Sequence, residues 1–263
     1  MLNWLTSRWA RNRRRAIFTV VRDEQVFLPI WLAYYGRHFA ARDIYVFDHG
    51  TTDGSVEAAR ARFAFRHERV DHPAFNDFPW YTAFVQERQR SLLASYDVVA
   101  FAEADEILWH PRGLGRFMAD LEPVAIRATG WNIWHDRRHE AAYAPGRPIL
   151  AQRRYWVRNA EYDKPLIARV PLTYEFGFHT ADECEATDPD LLLLHLQTMD
   201  YDVALRKRER TRAYQDYAPE ALRRGFGFQG RLVGDDHAAW FDAFAADGRR
   251  QPIPDHLRRA QPV

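Results

Sequence analysis

Three carboxylate side chains, Glu103, Asp105 and Glu106, follow directly after the apolar run Val98–Ala102. If the chain stays extended there, Glu103 and Asp105 point to the same side, because side chains two residues apart in a strand share a face. Neighbouring carboxylates repel each other and take up a proton unless a cation lies between them. Hard oxygen ligands favour magnesium or manganese, which also bind phosphate oxygens. The sequence therefore predicts a divalent-cation site that holds a diphosphate and polarises it as a leaving group.

The elements that must position these acids alternate between strand and helix. A buried strand at 16–23 precedes a segment, 24–38, whose apolar residues recur at helical spacing. A second strand within 43–50 leads into the turn residues TTDGS, where Thr52 or Asp53 can cap the next helix. A short strand near Val70, a helix at 81–95 and a strand at 96–101 continue the series. This order predicts an α/β fold with a mainly parallel sheet flanked by helices.

Polar side chains follow three of the predicted strands. Ligands of parallel sheets collect at the carboxyl ends of the strands, so we expect these side chains to form one site. For Asp53, capping of the following helix is favoured over ligand binding. The residues are Arg22, Asp23 and Glu24 after the first strand, Asp48 and Asp53 after the second, and the three acids after the fourth.

Three segments resemble, in order and separation, the motifs of family 2-type glycosyltransferases with the GT-A fold. They are VVRDEQVFLPIWLAYY (20–35), DIYVFDHGTTDGS (43–55) and VVAFAEADEIL (98–108). The similarity is to the bacterial branch whose motifs read roughly R-N-E, D-N-x-S-x-D-x-T and D-x-D-E-F. It covers about residues 15–110 and extends more loosely through 163–169, 175–180 and 191–208. Glu103 stands where the branch has the first aspartate of D-x-D, and His49 replaces the asparagine of the second motif.

The resemblance implies transfer of a sugar from a nucleotide-diphosphate donor to a hydroxyl of a glycan or lipid-linked acceptor, as in polysaccharide biosynthesis. It implies that Glu103 and Asp105 hold Mn2+ or Mg2+ on the diphosphate and that His195 approaches the metal or the phosphate. The nucleoside pocket would be lined by Arg22, Asp23, Glu24 and Asp48. Lys164, beside Pro165, either meets a phosphate or is a plain surface lysine.

Inverting transfer also requires a general base that takes the acceptor proton. The resemblance places such a base after the later strands, where Asp182, Glu183 and Glu185 follow the segment G-F-H. We expect Asp182 or Glu183 to serve, the alternative being that both are solvated acids of a loop.

Composition excludes several other classes of protein. A formal net charge of +1 gives no global field for nucleic acid, and the single cysteine, Cys184, excludes an internal disulfide framework. No apolar run approaches the roughly 20 residues of a membrane span, and the N-terminus lacks the apolar core of a signal peptide. We therefore predict a cytoplasmic protein. The leader 1–14 combines Trp4, Leu5 and Trp9 with arginines, which suits either peripheral contact with the inner membrane face or a short capping helix.

We predict one GT-A-like domain over residues 15–215 after the basic leader. Its nucleotide-sugar-binding half would be 15–110 and its acceptor and closing half 111–215, with a helical, loop-rich tail at 216–263. The functional alternative is a noncatalytic carbohydrate-binding or assembly protein that retains this fold with a degraded metal site. The reason for considering it is that Glu103 replaces the first aspartate of D-x-D.

Overall fold

The computed structural model describes residues 13–72, 77–184, 186–213, 234–246, 248–261 and 263. Most of the predicted leader (1–12), the acid Glu185 and the first part of the predicted tail (216–233) lie outside the described residues. Among the helices that are described, none has the length and apolar character needed to cross a membrane.

Strands and helices alternate through the first half of the chain, as the apolar pattern predicts. The strands are β1 (Arg15–Val21), β2 (Ile44–Asp48), β3 (Arg66–Arg69), β4 (Val98–Phe101), β5 (Glu106–Trp109), β6 (Ala125–Trp134), β7 (Tyr155–Arg158), β8 (Ile167–Ala168), β9 (Ala186–His195) and β10 (Arg250–Pro252). The α-helices are α1 (Phe27–Tyr35), α2 (Ser55–Arg60), α3 (Phe78–Leu93), α4 (Leu114–Ala119), α5 (Ile149–Gln152), α6 (Tyr201–Ala213), α7 (Gly234–Ala246) and α8 (Asp255–Ala260). Short 3-10 turns lie at Ala41–Asp43, Ala160–Tyr162 and Phe176–Phe178.

The chain divides into two compact units. The first contains the described parts of 1–72, 79–130 and 160–193, and the second those of 73–78, 131–159 and 194–263.

Four parallel strands form the centre of the first unit. β1 pairs with β2 on one side and with β4 on the other, and β3 continues the sheet beyond β2. β8 pairs antiparallel with β4, and the first residues of β6 pair antiparallel with β8. The α/β class is therefore confirmed, with a parallel part that carries the predicted strand ends. Because β1, β2 and β4 run in one direction, their carboxyl ends lie at the same edge of the sheet.

Burial on both faces explains the apolar sequence of these strands. Ala16, Ile17 and Phe18 are fully buried, and parallel strands covered on both sides have near-continuous apolar runs rather than alternating ones. The ring of Phe18 packs against Phe101 at a centroid distance of 5.0 Å and against Phe47 at 5.9 Å. These contacts join β1 to both of its neighbours.

The second unit contains part of β6, the strands β7 and β10, and a buried cluster of its own. The last residues of β6, Trp131–Trp134, pair antiparallel with β7, which pairs antiparallel with β10. Trp134, Val157, Ala204 and Phe241 form a buried apolar cluster in this unit.

Gly130 of β6 lies against the 3-10 turn Ala160–Tyr162, and its backbone N–H donates to Asp163 Oδ1 at 2.8 Å. A Cβ at this position would come within 2.5 Å of the Tyr162 backbone. We expect Gly130→Ala to lower the free energy of unfolding by about 1–3 kcal/mol, because the turn must move to admit the methyl group. Urea denaturation measures this. The neighbouring Thr129→Ala adds no atoms and should cost less, and equal stability of Gly130→Ala and the wild type would mean that the turn moves freely.

Candidate functional site

The acids after β4 lie in a turn and not in an extended segment. The backbone N–H of Glu106 donates to the carbonyl oxygen of Glu103 at 2.9 Å. The N–H of Glu103 donates to Oε2 of Glu106 at 3.0 Å. The strand geometry assumed for Glu103 and Asp105 therefore ends at Phe101, and a turn gathers the acids instead. We call residues 103–106 the acid turn.

Lys164 forms a buried ion pair with this turn. Its Nζ lies 2.8 Å from Oε2 of Glu103 and 2.6 Å from Oε1 of Glu106. The lysine side chain is 2% exposed and that of Glu106 is 0% exposed. Lys164 is thus a buried partner of two carboxylates. The alternative prediction, a plain surface lysine, is wrong.

The ion pair decides the protonation state of both partners. Burial lowers the pKa of Lys164, but the charges of Glu103 and Glu106 more than reverse this and leave the pKa above its usual value. Burial raises the pKa of Glu106 to about 7, while Lys164 acts in the opposite direction. Both oxygens of Glu106 accept hydrogen bonds, one from Lys164 and one from the Glu103 N–H, and these two contacts stabilise the ionised carboxylate.

Helix α1 holds the strand that follows the acid turn. The hydroxyl of Tyr35 accepts a hydrogen bond from the Leu108 N–H at 2.9 Å and lies 3.1 Å from the Glu106 carbonyl oxygen, to which it donates. The hydroxyl of Tyr34 donates to the Leu108 carbonyl oxygen at 2.6 Å. The two tyrosines thereby satisfy backbone groups of β5 that would otherwise be buried without partners.

We expect Tyr35→Phe to lower the free energy of unfolding by about 1–3 kcal/mol, because it leaves the buried Leu108 N–H unsatisfied. Chemical denaturation measures the loss. Tyr45→Phe is a suitable comparison, since the Tyr45 hydroxyl contacts the hydroxyl of Tyr96 at a partly buried position and should cost less. A smaller loss for Tyr35→Phe than for Tyr45→Phe would contradict the bridging role.

Two tyrosines experience the negative field of the acids. Burial raises the pKa of Tyr81 well above its usual value, and four carboxylates add to this: Glu103, Glu106, Asp105 and Glu24. Burial also raises the pKa of Tyr162, and the acid turn opposes the lowering effect of Lys164 there. The acids at the end of β1 and in the acid turn therefore act on one common region, as the positions of the strand ends predict.

The predicted nucleoside-pocket acids Asp23 and Asp48 bind the loop after β2. Oδ1 of Asp23 accepts hydrogen bonds from the Thr52 N–H at 2.6 Å and from the Asp53 N–H at 3.1 Å. Oδ1 of Asp48 accepts one from the Thr51 N–H at 2.8 Å. Asp23 has a φ of 56°, a left-handed conformation that aspartate tolerates better than most residues. Both acids are buried, and together they fix the loop at the sheet edge.

The other polar residues predicted at this sheet edge, Arg22, Glu24 and Asp53, occupy three environments. Asp53 is exposed, and its Oδ1 accepts a hydrogen bond from the N–H of Ser55, the first residue of α2, at 2.9 Å. Glu24 is buried, and Arg22 is half-buried. The predicted cap does not form: the N-cap residue of α2 is Gly54, which has no side chain to accept a hydrogen bond, and Asp53 bonds the N–H two residues after it as in an Asx-turn.

The predicted general bases also differ from each other. Asp182 is exposed. The carboxylate of Glu183 accepts hydrogen bonds from the backbone N–H and the hydroxyl of Thr173, both at 2.8 Å. Burial raises the pKa of Glu183, but these bonds outweigh it and leave the pKa below its usual value. A carboxylate stabilised in this way is a weak base.

His195 belongs to the second unit, whereas the acid turn belongs to the first. Its ring is buried, and Nδ1 lies 2.9 Å from the side-chain oxygen of Asn132. An amide oxygen can only accept a hydrogen bond, so Nδ1 carries the ring proton in this contact.

The donor atoms of the acid turn fit a hard divalent cation that is bound together with a diphosphate. Within the described part of the chain, no group of three His, Cys, Asp or Glu side chains is arranged to hold a metal ion. Magnesium bound through substrate phosphates, however, needs only one or two protein carboxylates. The side chain of Glu103 is 34% exposed and its contact with Lys164 uses Oε2, whereas Asp105, the other acid of the predicted pair, is buried.

Tyr81 and His179 were not among the predicted site residues. Tyr81 lies in α3, where an aromatic residue at helical spacing carries no signal of function. His179 lies in the segment EFGFHT, two residues after Gly177, and a histidine in a glycine-containing loop is the signal that could have identified it.

Comparisons with known proteins give structural similarities only. No protein-family model matches the chain, and no curated protein matches it. Glucosyl-3-phosphoglycerate synthase from Mycobacterium tuberculosis, in complex with Mn2+, uridine diphosphate and phosphoglyceric acid, is similar over 80% of this chain and 81% of its own, at 12% identity and a TM-score of 0.41. Its complex with phosphoglyceric acid is similar over 46% of each chain, less than half of either length, at 13% identity and a TM-score of 0.34. The galactosyltransferase LgtC, with donor and acceptor sugar analogues, is similar over 43% of this chain and 46% of its own, at 14% identity and a TM-score of 0.31.

Identities and TM-scores at this level are too low to assign chemistry to the site, which must be taken from its own residues. What the comparisons establish is that this α/β structure has distant similarity to glycosyltransferase structures.

Proposed function

We propose that the protein is a glycosyltransferase that moves a sugar from a nucleotide-diphosphate donor to a hydroxyl acceptor. One observation carries the proposal: the acid turn, with the partly exposed carboxylate of Glu103, follows a parallel strand whose neighbour β1 ends in Asp23 and Glu24. The edge formed by the carboxyl ends of parallel strands is the usual ligand site of such sheets. The order of the three sequence motifs supports the same reading.

In this proposal the residues of the sheet edge divide between donor and catalysis. The loop fixed by Asp23 and Asp48 would receive the nucleoside, with Arg22 and Glu24 beside it. Glu103 and Asp105 would hold Mn2+ or Mg2+, and such an ion supplies Lewis-acid stabilisation of a diphosphate leaving group. Lys164 keeps the acid turn in one conformation by pairing with two of its carboxylates. That His195 approaches the same ion or the phosphate stays a prediction.

The cellular setting stays a proposal as well. We infer a cytoplasmic enzyme of polysaccharide biosynthesis with inverting transfer to a glycan or lipid-linked acceptor. Peripheral membrane contact through residues 1–14 would bring it to a lipid-linked substrate.

A noncatalytic carbohydrate-binding or assembly protein is the second candidate. The observation that favours it is the ion pair of Lys164 with Glu103, because an ammonium already neutralises part of the charge that a metal would neutralise.

A thermal-shift titration with nucleoside diphosphates and nucleotide sugars, each with and without MnCl2, tests the proposal. We expect a metal-dependent rise in melting temperature, because a ligand at 100 times its Kd stabilises the folded state by about 2.7 kcal/mol. Release of nucleoside diphosphate from the same donors should accompany it. A metal-dependent shift without release would support the noncatalytic candidate, and neither shift nor release with any common donor would refute the transferase.

A further inference from the structure

The loop that carries His179 is held in an unusual backbone conformation. Gly177 and Phe178 have φ values of 83° and 63°, and a bulky residue in the left-handed region is uncommon and recurs at functional sites. The buried ring of Phe178 packs against Phe101 of β4 at 4.9 Å and against Tyr81 at 5.4 Å. The core beneath the acid turn therefore anchors the residue that precedes His179.

The backbone of His179 is fixed from the other side by Arg127. Nη1 of Arg127 donates to the carbonyl oxygens of His179 and Asp163, both at 2.6 Å. Because Asp163 directly precedes Lys164 in the chain, one guanidinium links the histidine loop to the segment that supplies the buried lysine.

The orientation of the His179 ring leaves one nitrogen as a proton acceptor. Nδ1 contacts the carbonyl oxygen of Glu161. A carbonyl oxygen can only accept, so Nδ1 carries the ring proton and Nε2 keeps its electron pair. The ring is half-buried and lies 6.3 Å from the ring of Tyr162, which experiences the field of the acid turn.

Burial and the charge of Lys164 favour the neutral form of this ring. Burial lowers the pKa of His179, and the charge of Lys164 lowers it further, whereas Glu161 and Glu103 act in the opposite direction with less effect. A neutral imidazole with a free Nε2 can accept a proton.

We propose that His179 is the general base of the glycosyl transfer and takes the proton of the acceptor hydroxyl. The inference rests on the proposed function, which does not identify the general base. As Nε2 of His179 accepts the proton, the acceptor oxygen forms its bond to the anomeric carbon of the donor sugar. The bond from that carbon to the diphosphate oxygen breaks, and the electron pair leaves with the nucleoside diphosphate. The imidazolium then returns its proton to water.

His179 suits this task better than the acids of the same loop. Both carboxylate oxygens of Glu183 accept hydrogen bonds from Thr173, which stabilises the ionised form and weakens it as a base. Asp182 is exposed, and its backbone N–H donates to the Thr173 carbonyl oxygen. The pKa of His179, by contrast, responds to the charges of Lys164 and Glu103.

The variant His179→Asn separates the base from its structural contact. An asparagine amide nitrogen can replace Nδ1 as donor to the Glu161 carbonyl oxygen, but nothing replaces Nε2. The assay measures release of nucleoside diphosphate from UDP-glucose, UDP-galactose and GDP-mannose, with water or p-nitrophenyl glycosides as hydroxyl acceptor. We expect kcat to fall by about 10²–10⁴-fold.

Two controls accompany this measurement. The melting temperature of His179→Asn and its affinity for uridine or guanosine diphosphate with MnCl2 should stay unchanged. His256→Asn, at an exposed position of α8, should match the wild type in all of these measurements.

Three outcomes would overturn the assignment in distinguishable ways. Turnover of His179→Asn within about threefold of the wild type shows that another group takes the proton. If Glu183→Gln loses turnover in the same assay, Glu183 is that group. Loss of nucleoside diphosphate affinity together with turnover places His179 in donor binding instead. If the wild type itself neither binds nucleoside diphosphate nor cleaves any donor, the proposed function fails, and the base assignment fails with it.

Discussion

Replacing Lys164 with methionine is expected to lower the free energy of unfolding by about 3–5 kcal/mol. Methionine has a similar length and fills the space, but it leaves Glu103 and the fully buried Glu106 without their cation. Removing one partner of a buried pair leaves an uncompensated charge in a medium of low dielectric constant, which costs more than the pair contributes. Urea or guanidinium denaturation of the full chain, followed by circular dichroism, measures the difference.

Two further variants show whether charge or packing causes the loss. Adding Glu106→Gln to Lys164→Met removes the buried charge and should restore part of the stability, because the glutamine oxygen can still accept from the Glu103 N–H. Lys207→Met, at the half-exposed position of the other lysine, should cost less than about 1 kcal/mol. A cost below about 1 kcal/mol for Lys164→Met would show that the pair is replaceable.

The pH dependence of Lys164→Met gives an independent check. Burial raises the pKa of Glu106, and without Lys164 nothing comparable opposes that effect. A carboxyl whose pKa is higher in the folded state than in the unfolded state binds its proton more tightly when folded, so stability falls as pH rises through the folded pKa. The deficit of the variant relative to the wild type should therefore be smaller at pH 4.5 than at pH 8. A constant deficit would mean that lost packing, and not the unpaired charge, causes it.

Asp105→Asn is expected to reduce kcat/KM for donor cleavage by roughly 10²–10³-fold, if the acid turn holds a metal on the diphosphate as proposed. The exchange keeps the size of the side chain and removes one negative charge from a buried position. A neutral amide is a poorer ligand for a hard cation than a carboxylate. Turnover of nucleotide sugars at several MnCl2 concentrations measures the effect, and the metal-dependent thermal shift with uridine or guanosine diphosphate should weaken in parallel.

Glu57→Gln is the matched control for Asp105→Asn, because Glu57 is an exposed acid in the first turn of α2. It removes the same charge from the chain and should leave turnover and nucleotide affinity unchanged. If Asp105→Asn binds nucleoside diphosphate as tightly as the wild type and with the same metal dependence, Asp105 is not a metal ligand. Glu103→Gln then tests the remaining carboxylate of the predicted pair.

The α/β class and the edge of the sheet that carries the acids could be predicted because their signals are local. The buried run Ala16–Val21 and the helical spacing of 27, 28, 31 and 32 reflect burial of each element against its neighbours. Placement of Asp23, Asp48 and the acid turn at one edge then follows from parallel pairing alone. The contact of Asp53 is equally local, since its partner is the Ser55 N–H, but the sequence assigned it to capping whereas Gly54 holds the N-cap position.

The chemistry of the candidate site depends on partners that are distant in sequence. Lys164 reaches Glu103 across 61 positions, and the Tyr35 hydroxyl reaches the Glu106 carbonyl oxygen across 71. His179 owes its tautomer to the Glu161 carbonyl oxygen and the position of its backbone to Arg127. Such pairings leave no periodic pattern in the chain, because they arise only when packing brings separate segments together.

By itself, the sequence of this protein determined which segments are buried and at which sheet edge the carboxylates lie, since apolar periodicity and strand direction follow from neighbouring residues. Only the tertiary structure decided that the acids form a turn, that a lysine neutralises two of them, and that Glu183 is engaged by Thr173 while His179 keeps a free nitrogen. The reason is that the charge state of a buried group depends on its desolvation and on the few groups within hydrogen-bonding distance, and both are properties of the folded chain.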